Sequence, residues 1–272
     1  MLNLSNVHFD SSLPYWQDYL PFLLKLAGRE FPACDRLNDL LPDGLSSECG
    51  HPIRFVPSTE LDDAAYEQRI YTTGQVSTRP SNWHDLFNAM VWMRFPSIKS
   101  TMNTLHYHAW SDQRDGRRGR LRDALTLFDE CGVIVFSNNQ DILNALAGRR
   151  LTDAFLANDF NSEVQLAIVG HAMLEKFLSP YKSMTAKAML IKVDSNFMEC
   201  SRQDQLACLD REIAARMLDR TLLIRPACLA PLPLAGVPGW WANDKQNDQF
   251  YQDSSVFRPP PANLQAAPVH QL

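Results

Sequence analysis

Several motifs that would indicate a particular reaction or ligand are missing from this sequence. Its six cysteines form no CxxC pair, which excludes a structural zinc site of the usual spacing. No GxGxxG motif or P-loop follows a predicted strand, so nothing supports nucleotide binding by either route. No GxSxG elbow is present, and Cys131 lies at a predicted helix end, where the helix dipole disfavours a thiolate. A covalent mechanism is therefore not expected.

Long apolar runs are also missing. The longest, such as VQLAIVG, fall far below the roughly 20 residues that a membrane-spanning helix needs. The first residues, MLNLSNVHFD, lack a basic segment followed by an apolar core. We therefore expect a cytoplasmic protein with reduced, mostly buried thiols and no membrane partner.

The chain also lacks a strong excess of positive charge. Its net charge is −5, and binding to nucleic acid needs clustered Lys and Arg side chains that neutralise phosphates. We therefore expect no nucleic-acid partner. The sequence leaves the oligomeric state open.

Periodic apolar spacing predicts mostly helices over the 272 residues. Five short apolar runs predict strands: IRFV (53–56), VIVFS (133–137), VQLAIVG (164–170), KAMLIKVD (187–194) and TLLIR (221–225). TTGQVSTRPS (72–81) is predicted to be a turn, and Gly132 a left-handed helix end. We predict an α+β fold, a helix-rich single domain with one small mixed sheet and an extended Pro-rich C-terminal segment.

The C-terminal segment differs from the rest in composition. From Pro226 onward the sequence is rich in proline and has no periodic run. We predict a helix-rich α+β core domain over residues 1–225. Residues 226–272 are predicted to be an extended wrap that ends in a flexible tail.

Polar residues interrupt two helical stretches where apolar side chains are expected. In SNWHDLFNAMVWMRF, Asn82 is a candidate helix cap with Asp85 at the third helical position. His84 and Asn88 are four residues apart and share a helix face. They either line a pocket, with His84 as a base or metal ligand, or belong to a capped helix whose histidine bonds to the backbone.

The next stretch, IKSTMNTLHYHAW, carries a second polar stripe. Lys99, Asn103, His106 and Trp110 fall on one helix face. If the chain folds back at Pro96, this stripe approaches His84 and Asn88. The alternative is a solvated face.

Five arginines lie within nine residues, namely Arg114, Arg117, Arg118, Arg120 and Arg122. They predict either a solvated loop or a clamp for phosphate or carboxylate, to which the next helix N-terminus adds backbone donors. Asp129 and Glu130 end that helix and oppose its dipole. Either these two carboxylates are exposed to solvent, which makes their position inexpensive, or they bind a metal ion or a basic partner.

Gly170 and His171 follow a predicted buried strand and open a helix. Glu175 lies four residues further on, the spacing with which helical side chains hold one metal ion. The alternative is a capped helix with an exposed Glu175–Lys176 surface.

Three strings match a known family in order: RIYTTGQVSTRPSNWHDLFNAMVWMRFP, LRDALTLFDECGVIVF and GHAMLEKFLSPYKSMTA. They resemble the proteobacterial domain-of-unknown-function family 3025, over roughly residues 50 to 260. The resemblance implies no activity, cofactor or catalytic residue.

Two functions remain open. In the first, the pocket is a metal-dependent or acid–base hydrolytic site for a small anionic substrate. Its predicted catalytic residues are His84, Asn88, His106 and Asp85, its substrate-binding residues Asn103, Arg120, Arg122 and Lys99, and its ligands for a possible divalent metal His171, Glu175 and Asp129. In the second, the same groups form a satisfied network around a small-molecule pocket, and the protein binds without catalysis.

Overall fold

The structure is a computed structural model that describes residues 2–58, 63–111, 119–157, 160–241 and 247–272. The strands in these residues are β1 (Leu2–Leu4), β2 (Val7–Phe9), β3 (Arg54–Pro57), β4 (Gln75–Thr78), β5 (Gly132–Ser137), β6 (Val164–Ile168), β7 (Thr185–Lys192), β8 (Ala230–Pro233) and β9 (Val269–Gln271).

The helices are more numerous. They are α1 (Leu20–Leu26), α2 (Cys34–Asn38), α3 (Asp63–Thr73), α4 (Trp83–Arg94), α5 (Pro96–Ser111), α6 (Arg120–Cys131), α7 (Gln140–Ala147), α8 (Leu151–Phe155), α9 (Phe160–Glu163), α10 (His171–Lys176), α11 (Ser195–Glu199), α12 (Arg202–Leu218) and α13 (Asp248–Tyr251). Three short 3-10 turns, at Pro14–Trp16, Pro226–Cys228 and Leu234–Gly236, complete the set. The predicted α+β class is confirmed. None of these helices combines the length and apolar character required to traverse a lipid bilayer.

A mixed sheet of five strands forms the centre of the molecule. Its strand order is β6-β5-β7-β8, and β9 pairs with β7 as well. β5 runs antiparallel to β6 and parallel to β7, while β7 is antiparallel to β8 and parallel to β9. Every residue of β5 is buried, as expected for an apolar run inside a sheet covered on both faces. The mixed sheet was therefore predicted correctly, but it is not the single sheet expected, since β1–β2 and β3–β4 form two further two-stranded sheets.

Three local predictions are wrong. Residues 221–225 form no strand, and the strand in that part of the chain is β8, which lies among prolines. β4 lies inside the predicted turn and pairs in parallel with β3. The predicted flexible tail contains β9, which pairs with Leu190–Lys192 of β7. The boundary proposed at residues 225 and 226 stays a prediction, although strands from both sides of it share the central sheet.

Two further details differ from the sequence-based expectation. Gly132 is extended, with φ −70° and ψ 140°, and not left-handed. A Cβ there would lie 2.2 Å from the Phe128 carbonyl oxygen, so close approach explains the glycine. All six cysteines are free thiols, but only Cys228 is buried, so the expected burial of most thiols is wrong.

Candidate functional site

Two helix ends meet at one edge of the central sheet. Because β5 and β6 are antiparallel, with Val133 opposite Ile168, the start of β5 lies beside the end of β6. The last turn of α6 therefore lies next to the first turn of α10. The amide of Gly170 donates to the Gly132 carbonyl over 2.8 Å. A Cβ on Gly170 would lie only 2.6 Å from the Glu130 carbonyl oxygen, so this position requires a glycine.

This junction places two carboxylates beside a buried imidazole. His171, at the start of α10, has only 5% of its surface exposed. Its Nδ1 lies 3.7 Å from Asp129 Oδ2, and its Nε2 lies 3.7 Å from Glu130 Oε1. The two acidic residues that oppose the dipole of α6 are therefore explained by the imidazole that they face.

The first turn of α4 supplies the second imidazole. The Asn82 side chain caps this helix by accepting from the Asp85 amide at 3.0 Å, which confirms the predicted cap. The Asp85 carboxylate does not return to Asn82 as in a full capping box. It accepts instead from the backbone amide and guanidinium of Arg79, over 2.6 to 3.0 Å. This pairing fixes the start of α4, and with it His84.

The two imidazoles face each other. His84 Nε2 lies 2.9 Å from His171 Nε2, and His84 Nδ1 lies 3.0 Å from Glu175 Oε2. Each ring therefore has a carboxylate near its Nδ1: Glu175 lies within hydrogen-bond distance of His84, and Asp129 lies 3.7 Å from His171, beyond hydrogen-bond distance. A carboxylate favours N–H at the ring nitrogen that faces it, and a neutral imidazole has only one N–H. With both rings neutral and both protons on Nδ1, the two Nε2 atoms carry lone pairs and lie 2.9 Å apart.

Three donor atoms lie close enough together to be candidate ligands of one metal ion. Ligand atoms of His84, Glu130 and His171 all lie within 4.8 Å of one another. Ligands bound at about 2.1 Å, at angles between octahedral and tetrahedral, are about 3.0 to 3.4 Å apart. The His84–His171 distance of 2.9 Å and the His171–Glu130 distance of 3.7 Å lie just on either side of that range. Carboxylates behind metal-binding imidazoles are the usual companions of such sites.

The donor atoms open into a cavity of about 280 Å³. Its walls come from five helices, α3, α4, α5, α6 and α10, and from β4 of the two-stranded β3–β4 sheet. The lining residues are Tyr66, Glu67, Ser77, Arg79, His84, Asp85, Asn88, His106, Arg122, Thr126, Asp129, Glu130 and His171.

A buried ion pair lies behind this wall. Lys99 Nζ lies 2.5 Å from Asp129 Oδ1, and only 6% of the lysine side chain is exposed. Burial by itself would raise the pKa of Asp129, but the Lys99 ammonium and then His171 outweigh it and hold that pKa well below its ordinary value. Asp129 is therefore a carboxylate at neutral pH.

Glu67, on α3, differs from Asp129 because its carboxyl group is paired with an amide and not with an ammonium group. Its Oε2 accepts from Asn103 Nδ2 at 2.5 Å, and the same amide nitrogen donates to the Glu67 backbone carbonyl at 2.9 Å. Burial raises the pKa of Glu67 to about 7, against the lowering effect of the Asn103 hydrogen bond. This carboxyl group can accept or donate a proton near neutral pH.

Tyr66, beside Glu67, contributes a hydroxyl group. It accepts from Asn88 Nδ2 at 3.0 Å. Burial, followed by the charge of Glu67, raises the pKa of Tyr66, so the hydroxyl group stays protonated. The cavity wall thus offers a neutral hydroxyl beside a carboxyl group that titrates.

The structure brings most of the predicted site residues together. His84, Asp85, Asn88, His106, Arg122, Asp129 and His171 line the cavity. Lys99 and Asn103 lie at a separate void of about 10 Å³ that shares Tyr66, Glu67, His106 and Asp129 with the cavity. The solvated-face alternative for this stripe is wrong for Lys99, Asn103 and His106, which are 4 to 6% exposed, whereas Trp110 is 39% exposed.

Other predicted residues lie elsewhere. Glu175 faces His84, not the imidazole of its own helix. Arg120 is exposed and does not line the cavity. Arg114, Arg117 and Arg118 lie outside the described residues.

Sequence reasoning did not select several lining residues. Glu130 was noted with Asp129 as a charge that opposes its helix dipole and that a metal or a basic partner could explain, but it was not selected as a site residue, and neither was Thr126. Tyr66 and Glu67 had no distinguishing signal, because they belong to an ordinary amphipathic helix. Ser77 lies in β4 and Arg79 follows that strand directly, both within the segment predicted to be a turn. A correct prediction of β4 would have directed attention to Ser77 and Arg79.

Comparison with known proteins gives one match. A family model described as "Protein of unknown function (DUF3025)" matches residues 53–260, which is more than half of the chain. This match confirms the resemblance inferred from the three sequence strings. No curated protein and no solved structure matches the chain.

Proposed function

The chain belongs to the DUF3025 family, whose description assigns no activity, and we propose that it is a metal-dependent hydrolase of a small anionic substrate. His84, His171 and Glu130 hold a divalent ion at the wall of the cavity. The other polar residues of the cavity bind the substrate and move the proton.

One observation carries the proposal. The two Nε2 atoms lie 2.9 Å apart while a carboxylate faces each Nδ1. Two lone pairs at this distance repel each other unless a metal ion lies between them or one Nε2 carries the proton of an N–H···N hydrogen bond. A divalent ion supplies a positive charge there and also satisfies Glu130, which is the third donor.

The chemical types of the three donor groups limit which metal ions the site can bind. Two imidazoles and one carboxylate are the ligands of zinc hydrolases and also of iron and manganese sites. Bound to three protein ligands, such an ion keeps an open position for water and lowers the pKa of that water towards neutral. Glu67, with a pKa of about 7, is the group that we assign to proton transfer.

The charges around the cavity favour an anion. Asp85 is paired with Arg79, and Asp129 with Lys99. A divalent ion and Arg122 supply three positive charges, against one negative charge each from Glu130 and Glu175 and the ionised fraction of Glu67, so a small net positive charge remains. We therefore propose, as the sequence suggested, that the substrate is an anion. Arg122 binds it in the cavity, and Arg120 contacts it from outside the cavity.

We also propose a cytoplasmic location. The support is that all six cysteines are free thiols although they are numerous, as expected in a reducing compartment. We propose no nucleic-acid partner, because the acidic net charge opposes one.

Metal analysis of the purified protein tests the ion. Native mass spectrometry with elemental analysis should find one divalent ion per chain, and His84→Ala, His171→Ala and Glu130→Gln should each lower its occupancy. His8→Ala is the control, since that imidazole is exposed and lies outside the cavity. A wild-type protein that stays metal-free after incubation with Zn²⁺, Mn²⁺ or Fe²⁺ would contradict the proposal.

An activity assay tests the hydrolysis. The metal-loaded protein should cleave p-nitrophenyl phosphate or an anionic p-nitrophenyl ester, and Glu67→Gln should lower kcat at least tenfold with the metal retained. Metal binding without turnover of either substrate class would favour the second candidate, a binding protein without catalysis. That candidate has its own support, because a proton shared by His84 and His171 also satisfies their 2.9 Å contact.

A further inference from the structure

Lys99 is a buried cation that does not line the main cavity. Its ammonium group lies 5.6 Å from the centre of the Trp92 ring and 2.5 Å from Asp129 Oδ1. Removing a lysine from water is costly, and a buried ion pair often adds little stability compared with apolar side chains of the same size. The position of this lysine therefore calls for a reason other than stability.

The void beside Lys99 is too small for a substrate. It measures about 10 Å³, which is room for a water molecule at most. The sequence suggested Lys99 as a substrate-binding residue. With an ammonium group enclosed by Asp129 and the face of Trp92, another role fits these contacts better.

Asp129 connects Lys99 to the proposed metal site. One carboxylate oxygen pairs with Lys99, and the other lies 3.7 Å from His171 Nδ1. With one oxygen held by the ammonium group, the second oxygen has a fixed direction. A carboxylate in that direction favours N–H on His171 Nδ1 and leaves the Nε2 lone pair towards the cavity.

We infer that Lys99 is a positioning residue, which acts through Asp129 to hold His171 in the tautomer and orientation that bind the ion. This inference rests on the proposed metal site and assigns its assembly to a residue that touches neither ion nor substrate. The lysine is buried because it contacts Oδ1 of Asp129, the oxygen that is not the one near His171.

Two variants separate positioning from stability. Lys99→Met removes the charge with little change in shape, but it leaves Asp129 without its partner and is expected to destabilise the fold. The double variant Lys99→Met/Asp129→Asn removes both charges and should regain most of the lost melting temperature. An asparagine amide can present either oxygen or N–H to His171, so the tautomer is no longer imposed.

Zinc affinity is the decisive measurement. Competition with a chromophoric chelator should show Zn²⁺ binding 10- to 100-fold weaker in both variants, the loss usual when the group behind a metal-binding histidine is removed. Lys182→Met is the matched control. Its Nζ also lies 2.5 Å from an aspartate, Asp253 Oδ2, but that pair lies outside the cavity.

Each outcome decides between the two proposals. If the wild-type protein fails to bind Zn²⁺, the proposed function fails, and with it this inference. If the wild type binds and the folded double variant binds equally tightly, the inference is overturned while the proposed function stands. Should neither variant fold, ¹⁵N NMR of the wild-type imidazoles decides: N–H on His171 Nδ1 supports the inference, and N–H on Nε2 in the metal-free protein contradicts it.

Discussion

At the scale of single residues, the cavity contains two acidic groups whose pKa values burial raises but whose net shifts are opposite, because their partners differ. Asp129 is paired with an ammonium group, so its pKa is lowered despite burial. Glu67 has an amide partner instead, so burial dominates and raises its pKa to about 7. The nature of the partner decides the sign of the shift, and it gives these two carboxyl groups different roles.

Glu67→Gln should stabilise the metal-free protein at pH 8 but not at pH 5. The folded state binds the Glu67 proton more tightly than the unfolded chain does, so this contribution to stability is present below about pH 4.5 and is lost as the pH rises through about 7. Glutamine stays neutral and avoids that loss, for a gain of about 1 to 2 kcal/mol at pH 8.

Thermal unfolding of both proteins at the two pH values, with a chelator present, measures this difference. Glu163→Gln is the control, because Glu163 also accepts from an asparagine amide, at 2.6 Å, but lies outside the cavity. An equal or lower melting temperature for Glu67→Gln at pH 8 would show that the Glu67 side chain is not buried as a carboxylate.

At the scale of elements, the start of α5 depends on a distant side chain. Pro96 opens this helix and has no N–H, so the first unsatisfied donors are the amides of Ser97 and Ile98. Both donate to Asp210 of α12, over 3.0 and 2.9 Å, and Asp210 is only 4% exposed. α12 thereby fixes the helix that carries Lys99 and His106.

Asp210→Ala should lower the free energy of unfolding by about 2 to 4 kcal/mol, because it leaves one buried and one partly buried amide without an acceptor. Asp210→Asn keeps one carbonyl oxygen and should cost about half as much. Urea unfolding of the three proteins checks the order. If alanine and asparagine cost the same, hydrogen bonding at the start of α5 is not what Asp210 provides.

The sequence predicted the helices that carry the site residues better than the contacts that those residues make. Helical spacing correctly brought His84 and Asn88 onto one face, and Asn82 was recognised as a cap. Spacing alone also suggested that His171 and Glu175 bind together, whereas Glu175 faces His84, 91 residues away. A local pattern contains helix periodicity but not the packing of α4 against α10, so the pairing of His84 with Glu175 could not be predicted.

At the scale of the whole molecule, sheet topology assembles the site. The antiparallel pairing of β5 and β6 brings Glu130 and His171 to one edge, although about 40 residues of sequence separate them. The same sheet takes β9 from the end of the chain, which proline-rich composition had wrongly suggested to be flexible. Strand order depends on long-range pairing that short apolar runs do not specify, which is why β4, β8 and β9 could not be predicted.

X-ray absorption spectroscopy of the Zn²⁺-loaded protein tests the central claim most directly. We predict two imidazole nitrogens at about 2.0 to 2.1 Å and at least one oxygen at about 2.0 to 2.2 Å, with the imidazole signal lost in the double variant His84→Ala/His171→Ala. A bound zinc whose spectrum lacks imidazole, or is unchanged in that variant, would contradict the account.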